Sequence, residues 1–246
     1  MSNQKSHLDE LYTILLEEGS IKNKNKARYY HNFLFRDINL SESKVLDIGG
    51  GRGVLSLYAA TMGAKRVICL EPESDGSTPG ASNSFERIKI KLGLNNVFIE
   101  SQTFQVYQPG NTKFDVIVLH NSINHIDEDA CVNLLEHENA RKIYLEHFKK
   151  INLMSSSHAQ LIICDCSRHN FFGIIGIKNP FVSSIEWHKH QTPETWVALL
   201  SEVGFYNPRV RWTSFSRLNK IGWLLAGNKL ISFFLKSHFC LTMDKQ

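Results

Sequence analysis

The stretch that most constrains this chain is Lys44-Val45-Leu46-Asp47-Ile48-Gly49-Gly50-Gly51-Arg52-Gly53-Val54-Leu55. A short apolar run carrying one acid is followed by four glycines in five positions and then by an apolar run through Ala60. That order predicts strand, tight turn, helix. Glycines let the backbone adopt positive φ and pass close to a ligand. The helix behind them aims unpaired N–H groups and its positive end at the same point. An anionic guest is expected there, a phosphate or a carboxylate.

Spacing narrows the guest. A dinucleotide loop needs G-x-G-x-x-G. Counted from Gly49 the last glycine falls on Val54, and counted from Gly51 it falls on Ser56. What stands instead is Asp47-x-Gly49-x-Gly51-x-Gly53. Residues 66–70 form a second apolar run that ends at Glu71, twenty positions after Gly51. An acid at the end of such a second strand accepts hydrogen bonds from ribose hydroxyls in strand–helix–strand units.

This set resembles the first motif and following acid of class I S-adenosylmethionine-dependent methyltransferases. The resemblance implies S-adenosylmethionine as cofactor, lying across the carboxyl ends of the first strands. Asp47, Gly49, Gly51 and Gly53 would face its methionine part and Glu71 its ribose. Gln102 and Thr103, just after the third strand, would lie at the adenine, and His120 at the end of the fourth strand completes the set. The chemistry agrees: glycine amides and a helix N-terminus suit a carboxylate, while acids suit an ammonium or sulfonium. Arg52 either points away or contacts an acidic acceptor.

Along the chain, residues 7–18 and 21–37 read as helices. The second is basic at its start (Lys22, Lys24, Lys26, Arg28) and aromatic later (Tyr29, Tyr30, Phe33, Phe35). It is either a solvated basic face over aromatic packing or a lid that touches the cofactor through Tyr29 or Tyr30. Strands are expected at 45–48, 66–70, 96–101, 114–119, 161–164, 209–212 and 238–243. Helices are expected at 53–62, 85–92 and 128–154, at 193–203 behind a Thr192 cap, and at 221–235; residues 72–83 read as a loop. The fold class is therefore α/β: a Rossmann-like, seven-stranded, mostly parallel sheet with helices on both faces and the last strand antiparallel. Residues 1–246 are expected to form a single methyltransferase domain, with 1–40 a helical lid and 166–192 and 214–236 insert segments near the acceptor pocket.

Composition sets outer bounds. Hydrophobic residues at 42% and charged residues at 21% of 246 are those of an ordinary soluble globular chain. A formal net charge of +4 is too weak to argue for nucleic acid. Five cysteines are an odd number, and three sit in strand-like runs, which suggests buried thiols in a reducing, cytoplasmic setting. Cys164-Asp165-Cys166 lacks zinc spacing, so no metal is expected. The polar start resembles no signal peptide. The apolar run 221–235 is broken by Asn228 and Lys229 and falls short of the roughly 20 residues a span needs.

Methyl transfer to a hydroxyl needs two partners in line and a base to take the proton. Ligands of open α/β sheets bind at the strands' carboxyl ends. There stand His120-Asn121-Ser122-Ile123-Asn124-His125-Ile126, and later Asp165, Ser167, Arg168 and His169 followed by Trp187-His188-Lys189-His190-Gln191. His125, His169 and His188 are the candidate catalytic residues, with Asp165 behind them. These segments resemble those of bacterial small-molecule methyltransferases. Neither an Asn/Asp-Pro-Pro-aromatic run nor a reactive cysteine pair stands here, which argues against nucleic-acid methylation. The expected function is S-adenosylmethionine-dependent methyl transfer to a hydroxyl, or an amine, of a small molecule or glycan. The alternatives are a non-catalytic binding or scaffold protein and an enzyme of macromolecular or lipid-linked acceptors. A homodimer is compatible with the chain, as is membrane-surface contact through 222–236, with no stable membrane span.

Overall fold

The computed structural model describes residues 2–73, 79–213 and 228–246. Its strands are β1 (Lys44–Ile48), β2 (Arg66–Leu70), β3 (Val97–Glu100), β4 (Phe114–His120), β5 (Ser155–Cys166), β6 (Phe205–Trp212) and β7 (His238–Lys245). They form one seven-stranded sheet of order β3-β2-β1-β4-β5-β7-β6. β1 runs parallel to β2 and β4, and β2 parallel to β3. β7 is antiparallel to both β5 and β6. This is the doubly wound plan expected from the alternation of strand and helix patterns, with the last strand reversed. The chain falls into two compact units, Met1–His120 and Asn121–Gln246.

In the first unit, helices α1 (Ser2–Glu17), α2 (Lys24–Leu34), α3 (Val54–Thr61) and α4 (Ala81–Lys91) accompany β1 to β4. Val45, Leu46, Val67, Ile68, Val116, Ile117, Val118 and Leu119 are all at most 2% exposed, as continuous apolar runs buried on both faces require. β1 delivers Asp47 opposite Cys69 of β2 and Val118 of β4. α4 begins four residues earlier than its apolar pattern suggests, because Gly80, at φ +69°, turns the chain into its first turn.

In the second unit the expected single helix over 128–154 is two, α5 (Glu128–Val132) and α6 (Glu138–Met154). Asp127 caps the first through Ala130 N. Asn133 ends it by folding its amide back onto Asp129 O, 2.9 Å away, a side-chain bond that competes with the helix. Tyr144 and Phe148 of α6 pack on Trp196 of α8 (Pro193–Glu202), with centroids 5.2 and 5.9 Å apart. β5 is longer than its apolar centre because it pairs with β7 as far as Gln160 opposite Asp244. β6 starts at Phe205, and its register shifts between Tyr206 and Arg209 around Asn207, at φ +53°, and Pro208, a residue suited to an edge strand. The short helices α7 (Phe171–Ile174) and α9 (Lys229–Phe234) complete the unit. Residues 74–78 of the predicted loop, and 214–227 of the predicted insert, helix and membrane-surface segments, lie outside the described residues. Among the described residues no helix is long and apolar enough to cross a membrane.

Candidate active site

The first unit builds a cavity of about 360 Å³ over the glycine turn, within the usual range of small-ligand sites. Asp47, Gly49, Gly50, Arg52, Val54 and Leu55 form its floor. Ser20, Ile21, Ala27, Tyr30 and His31 close it from the α1–α2 region, and His120 stands at the end of β4. The turn itself is held tightly. Gly49 and Gly50 both donate their N–H to Leu70 O, at 2.9 and 3.1 Å. Gly49, Gly51 and Gly53 have φ of +70°, +56° and +67°, the left-handed region that favours glycine.

Gly50 is the position that pattern reading passed over. A Cβ there would stand 2.4 Å from Cys69 Sγ and 2.8 Å from Asp47 Oδ2. Only a residue without a side chain lets the turn lie down on the two strands. Gly53 is excluded from substitution in the same way by Phe85, whose Cδ2 would lie 2.3 Å from a Cβ.

Asp47 is 1% exposed. Its Oδ2 accepts a 2.7 Å hydrogen bond from Ser56 Oγ, while its buried Oδ1 has no partner among the described residues. Burial, and to a lesser degree the charge of Glu71, push its pKa up to about 6, against the bond from Ser56. A half-satisfied buried carboxylate is costly unless a ligand completes it. Glu71, 4% exposed, accepts the Gly51 N–H at 2.7 Å through Oε2. The two predicted acids thus sit on neighbouring strand ends and share one turn.

Above them the α2 helix supplies aromatic and imidazole groups. Tyr30 Oη and His120 Nε2 share a hydrogen bond of 2.7 Å. His31 Nδ1 lies 3.0 Å from Tyr12 Oη, and its ring packs on Tyr58 at 4.6 Å. Burial lowers His120 to about 4. Burial, helped by His120, lowers His31 to about 3, so both imidazoles are neutral near pH 7. Of the two tyrosines expected in a lid, Tyr30 is the one on the cavity. The basic start of α2 is largely outward: Lys22 and Lys26 are exposed, while Arg28 pairs with Asp9 and covers the Tyr12 ring. Arg52 turns toward the α1–α2 turn and donates to Gly19 O at 3.0 Å. Gln102 donates to Glu100 Oε2 at 2.6 Å and Thr103 is exposed; both stand just after β3, and neither lines the cavity.

The remaining predicted residues belong to the second unit, where His125 and His188 both bear on the carboxylate of Glu128. His125, His169 and His188 are all exposed; His125 Nδ1 lies 3.8 Å from Glu128 Oε2. The histidine that is held in place is His190, outside the predicted set. Its Nδ1 lies 3.0 and 3.1 Å from the two oxygens of Asp165, which is fully buried near the end of β5. Gln191, also fully buried, fixes the same strand of chain by donating to Cys131 O at 2.6 Å and accepting from Arg168 at 3.2 Å. His188 and His190, two positions apart, gave sequence reading no way to rank them; the buried acid does. All five cysteines are buried and free, and the described residues contain no cluster of metal-ligating side chains.

A family model described as a methyltransferase domain matches residues 22–208. Similar solved structures include a Listeria monocytogenes protein described as an S-adenosylmethionine-dependent methyltransferase (15% identical, covering 91% of this chain and all of that one, TM-score 0.61). A SAM-dependent methyltransferase from Aquifex aeolicus is 15% identical over 87% of this chain and 88% of that one, at TM-score 0.55. The N-methyltransferase NodS from Bradyrhizobium japonicum is 13% identical over 89% and 95%, at TM-score 0.52. Among curated sequences, protein arginine N-methyltransferase 1 of Caenorhabditis elegans is 29% identical over 72 residues. That match spans 29% of this chain and only 21% of the relative's length.

Proposed function

This chain belongs to the family of methyltransferase domains, and we propose that it transfers the methyl group of S-adenosylmethionine to a hydroxyl or amine of a small molecule or glycan, with residues 1–246 acting as one catalytic domain. The observation that carries the donor assignment is Asp47: a buried carboxylate on the cavity with one oxygen unpartnered and a raised pKa. That is a site short of a cationic N–H donor. The donor's ammonium meets this need, and the first turn of α3, whose Val54 and Leu55 line the cavity, suits its carboxylate. The residues present therefore fit the group.

When bound, S-adenosylmethionine supplies an activated methyl carbon on a sulfonium. In this reading Asp47, Gly49, Gly51 and Gly53 hold its methionine part, Glu71 its ribose, Gln102 and Thr103 its adenine end, and His120 with Tyr30 closes the cavity. Neutral His120 and His31 line the cavity without adding positive charge against a sulfonium. Proton removal from a hydroxyl acceptor falls first to His190. A carboxylate at Nδ1 fixes the tautomer and leaves Nε2 basic, the arrangement general-base catalysis needs. His125, His169 and His188 rank behind it because, among the described residues, none has a buried carboxylate at hydrogen-bond distance. NodS and the arginine methyltransferase, both N-methyltransferases by description, keep an amine acceptor in view.

Titration calorimetry tests the donor assignment. Binding of S-adenosylmethionine or its demethylated product, and no binding of NAD, is expected; the reverse outcome overturns it. Screening metabolite and glycan fractions with a radiolabelled methyl donor then tests the acceptor class. Donor binding with no labelled product from any fraction would instead support a non-catalytic binding protein.

A further inference from the structure

Among its described residues the second unit carries an exposed apolar face. Ile174, Ile175 and Ile177 are 65%, 49% and 53% exposed, Phe181 is 44%, Leu230 is 69% and Phe234 is 47%. Single exposed apolar side chains are ordinary on any surface. These six sit on two adjoining segments, 171–181 and 228–236, and contiguous patches mark interaction sites.

The two segments form one rigid frame. Fully buried Asn170 donates to Phe233 O at 3.0 Å, Leu235 O at 3.2 Å and Ser237 Oγ at 3.0 Å. Asn179, 1% exposed, donates to Leu235 O at 2.5 Å and to Asn170 Oδ1 at 3.3 Å. Phe171 packs on Phe233 and Phe234 at 6.3 and 5.2 Å, and Phe172 on Phe181 at 6.3 Å. Polar bonds are thus spent inward, and the isoleucines, Leu230 and Phe234 point out.

Charge decides among occupants. Residues 166–185 and 228–243 contain Arg168, Lys178, Lys229 and Lys236 and not one Asp or Glu. Lys178, Lys229 and Lys236 are exposed; Lys229 reaches Glu194 at 2.6 Å. A second copy meeting this face two-fold would set lysine against lysine. An anionic surface meets apolar and basic groups together, the combination by which monotopic proteins lie in the headgroup region. We propose that the face formed by 171–181 and 228–236 docks onto an anionic bilayer, with the isoleucines, Leu230 and Phe234 entering the interface and Lys178 and Lys236 meeting the headgroups. This inference does not rest on the methyl-transfer reading, and its test involves no turnover.

The test is co-sedimentation of the full chain with vesicles of phosphatidylglycerol mixed with phosphatidylcholine, and of phosphatidylcholine alone. Binding to the anionic vesicles only is expected, weakening with salt as screening predicts. Lys178→Gln and Lys236→Gln should each cost about fivefold in affinity, the equivalent of about 1 kcal/mol per basic residue at the surface. Ile174→Ser should cost about tenfold through lost apolar burial, with melting temperatures unchanged because these side chains are exposed. Absence of anionic-vesicle binding, equal binding to both vesicle types, or variants that bind as wild type would overturn it. So would a dimer that Ile174→Asp dissolves in sedimentation velocity, which would assign the face to a second copy.

Discussion

Gly51 donates its backbone N–H to Glu71 Oε2 at 2.7 Å, so the turn after β1 is fastened to the acid that ends β2. The bond makes Glu71 a support of the turn as well as a proposed ribose partner, and its two replacements should differ. Glu71→Ala removes the acceptor and loosens the turn; Glu71→Gln keeps an oxygen for Gly51 and loses the charge. Hydrogen bonds to charged groups are worth about 1.5–3 kcal/mol, so Glu71→Ala should weaken S-adenosylmethionine binding by about ten- to a hundredfold and Glu71→Gln by less. Calorimetry showing equal affinity for wild type and both variants would remove Glu71 from the site.

Gly50→Ala should lower both stability and donor affinity. Its Cβ would lie 2.4 Å from Cys69 Sγ and 2.8 Å from Asp47 Oδ2, and overpacking of this kind costs about 1–3 kcal/mol. Combining it with Cys69→Ala removes the nearer clash, so the double variant should recover part of the loss in melting temperature. Gly80→Ala meets nothing within 4 Å but keeps φ at +69°, and should cost only about 1 kcal/mol from backbone strain.

These two glycines show where sequence reading stops. Strand, turn and helix around Asp47 were legible because the signal is local, and so was Glu71, whose apolar strand ends on it. Gly50 was not, because its constraint comes from Cys69 on a neighbouring strand. Tyr30 meets His120 across 90 positions, and Asp165 meets His190 across 25. No spacing rule links such pairs; only the fold does. The break between α5 and α6 was hidden because apolar spacing continues through it while Asn133 competes for the backbone.

Acid should destabilise the protein between about pH 6.5 and 4. His31 and His120 are depressed by burial to about 3 and about 4. Unfolded histidine takes up its proton near pH 6.5, so the unfolded chain binds more protons and stability falls as pH drops. Asp47, raised to about 6, acts in the opposite sense: protonated in the folded state, it gains stability on acidification. Two histidines outweigh one carboxylate, for a net loss on the order of 2 kcal/mol. Urea midpoints at pH 7 and 4.5 measure it. Asp47→Asn should make the loss steeper and His120→Asn shallower; the opposite ordering would contradict the assignment.

Arg52→Ala should free the α1–α2 turn from the glycine loop by removing the 3.0 Å bond to Gly19 O. The bond is exposed, so global stability should change by only about 0.5–1 kcal/mol. Hydrogen exchange of residues 19–30 should accelerate, and donor affinity should fall a few-fold because Ser20, Ile21, Ala27 and Tyr30 line the same cavity. Unchanged exchange would show that the turn is held by other contacts.

The Asp165–His190 pair separates a positioning role from a merely structural one. Asp165 is buried with His190 Nδ1 at 3.0 and 3.1 Å, so His190→Ala strands a buried carboxylate and should cost about 3 kcal/mol or more. Asp165→Asn still offers an oxygen to Nδ1–H and should be milder in stability. In turnover both should fall sharply while donor affinity, which we propose rests on Asp47 and Glu71, stays unchanged. With an acceptor identified, a kcat equal to wild type in both His190→Ala and Asp165→Asn would reduce the pair to a structural bond and return the role of base to His125, His169 or His188.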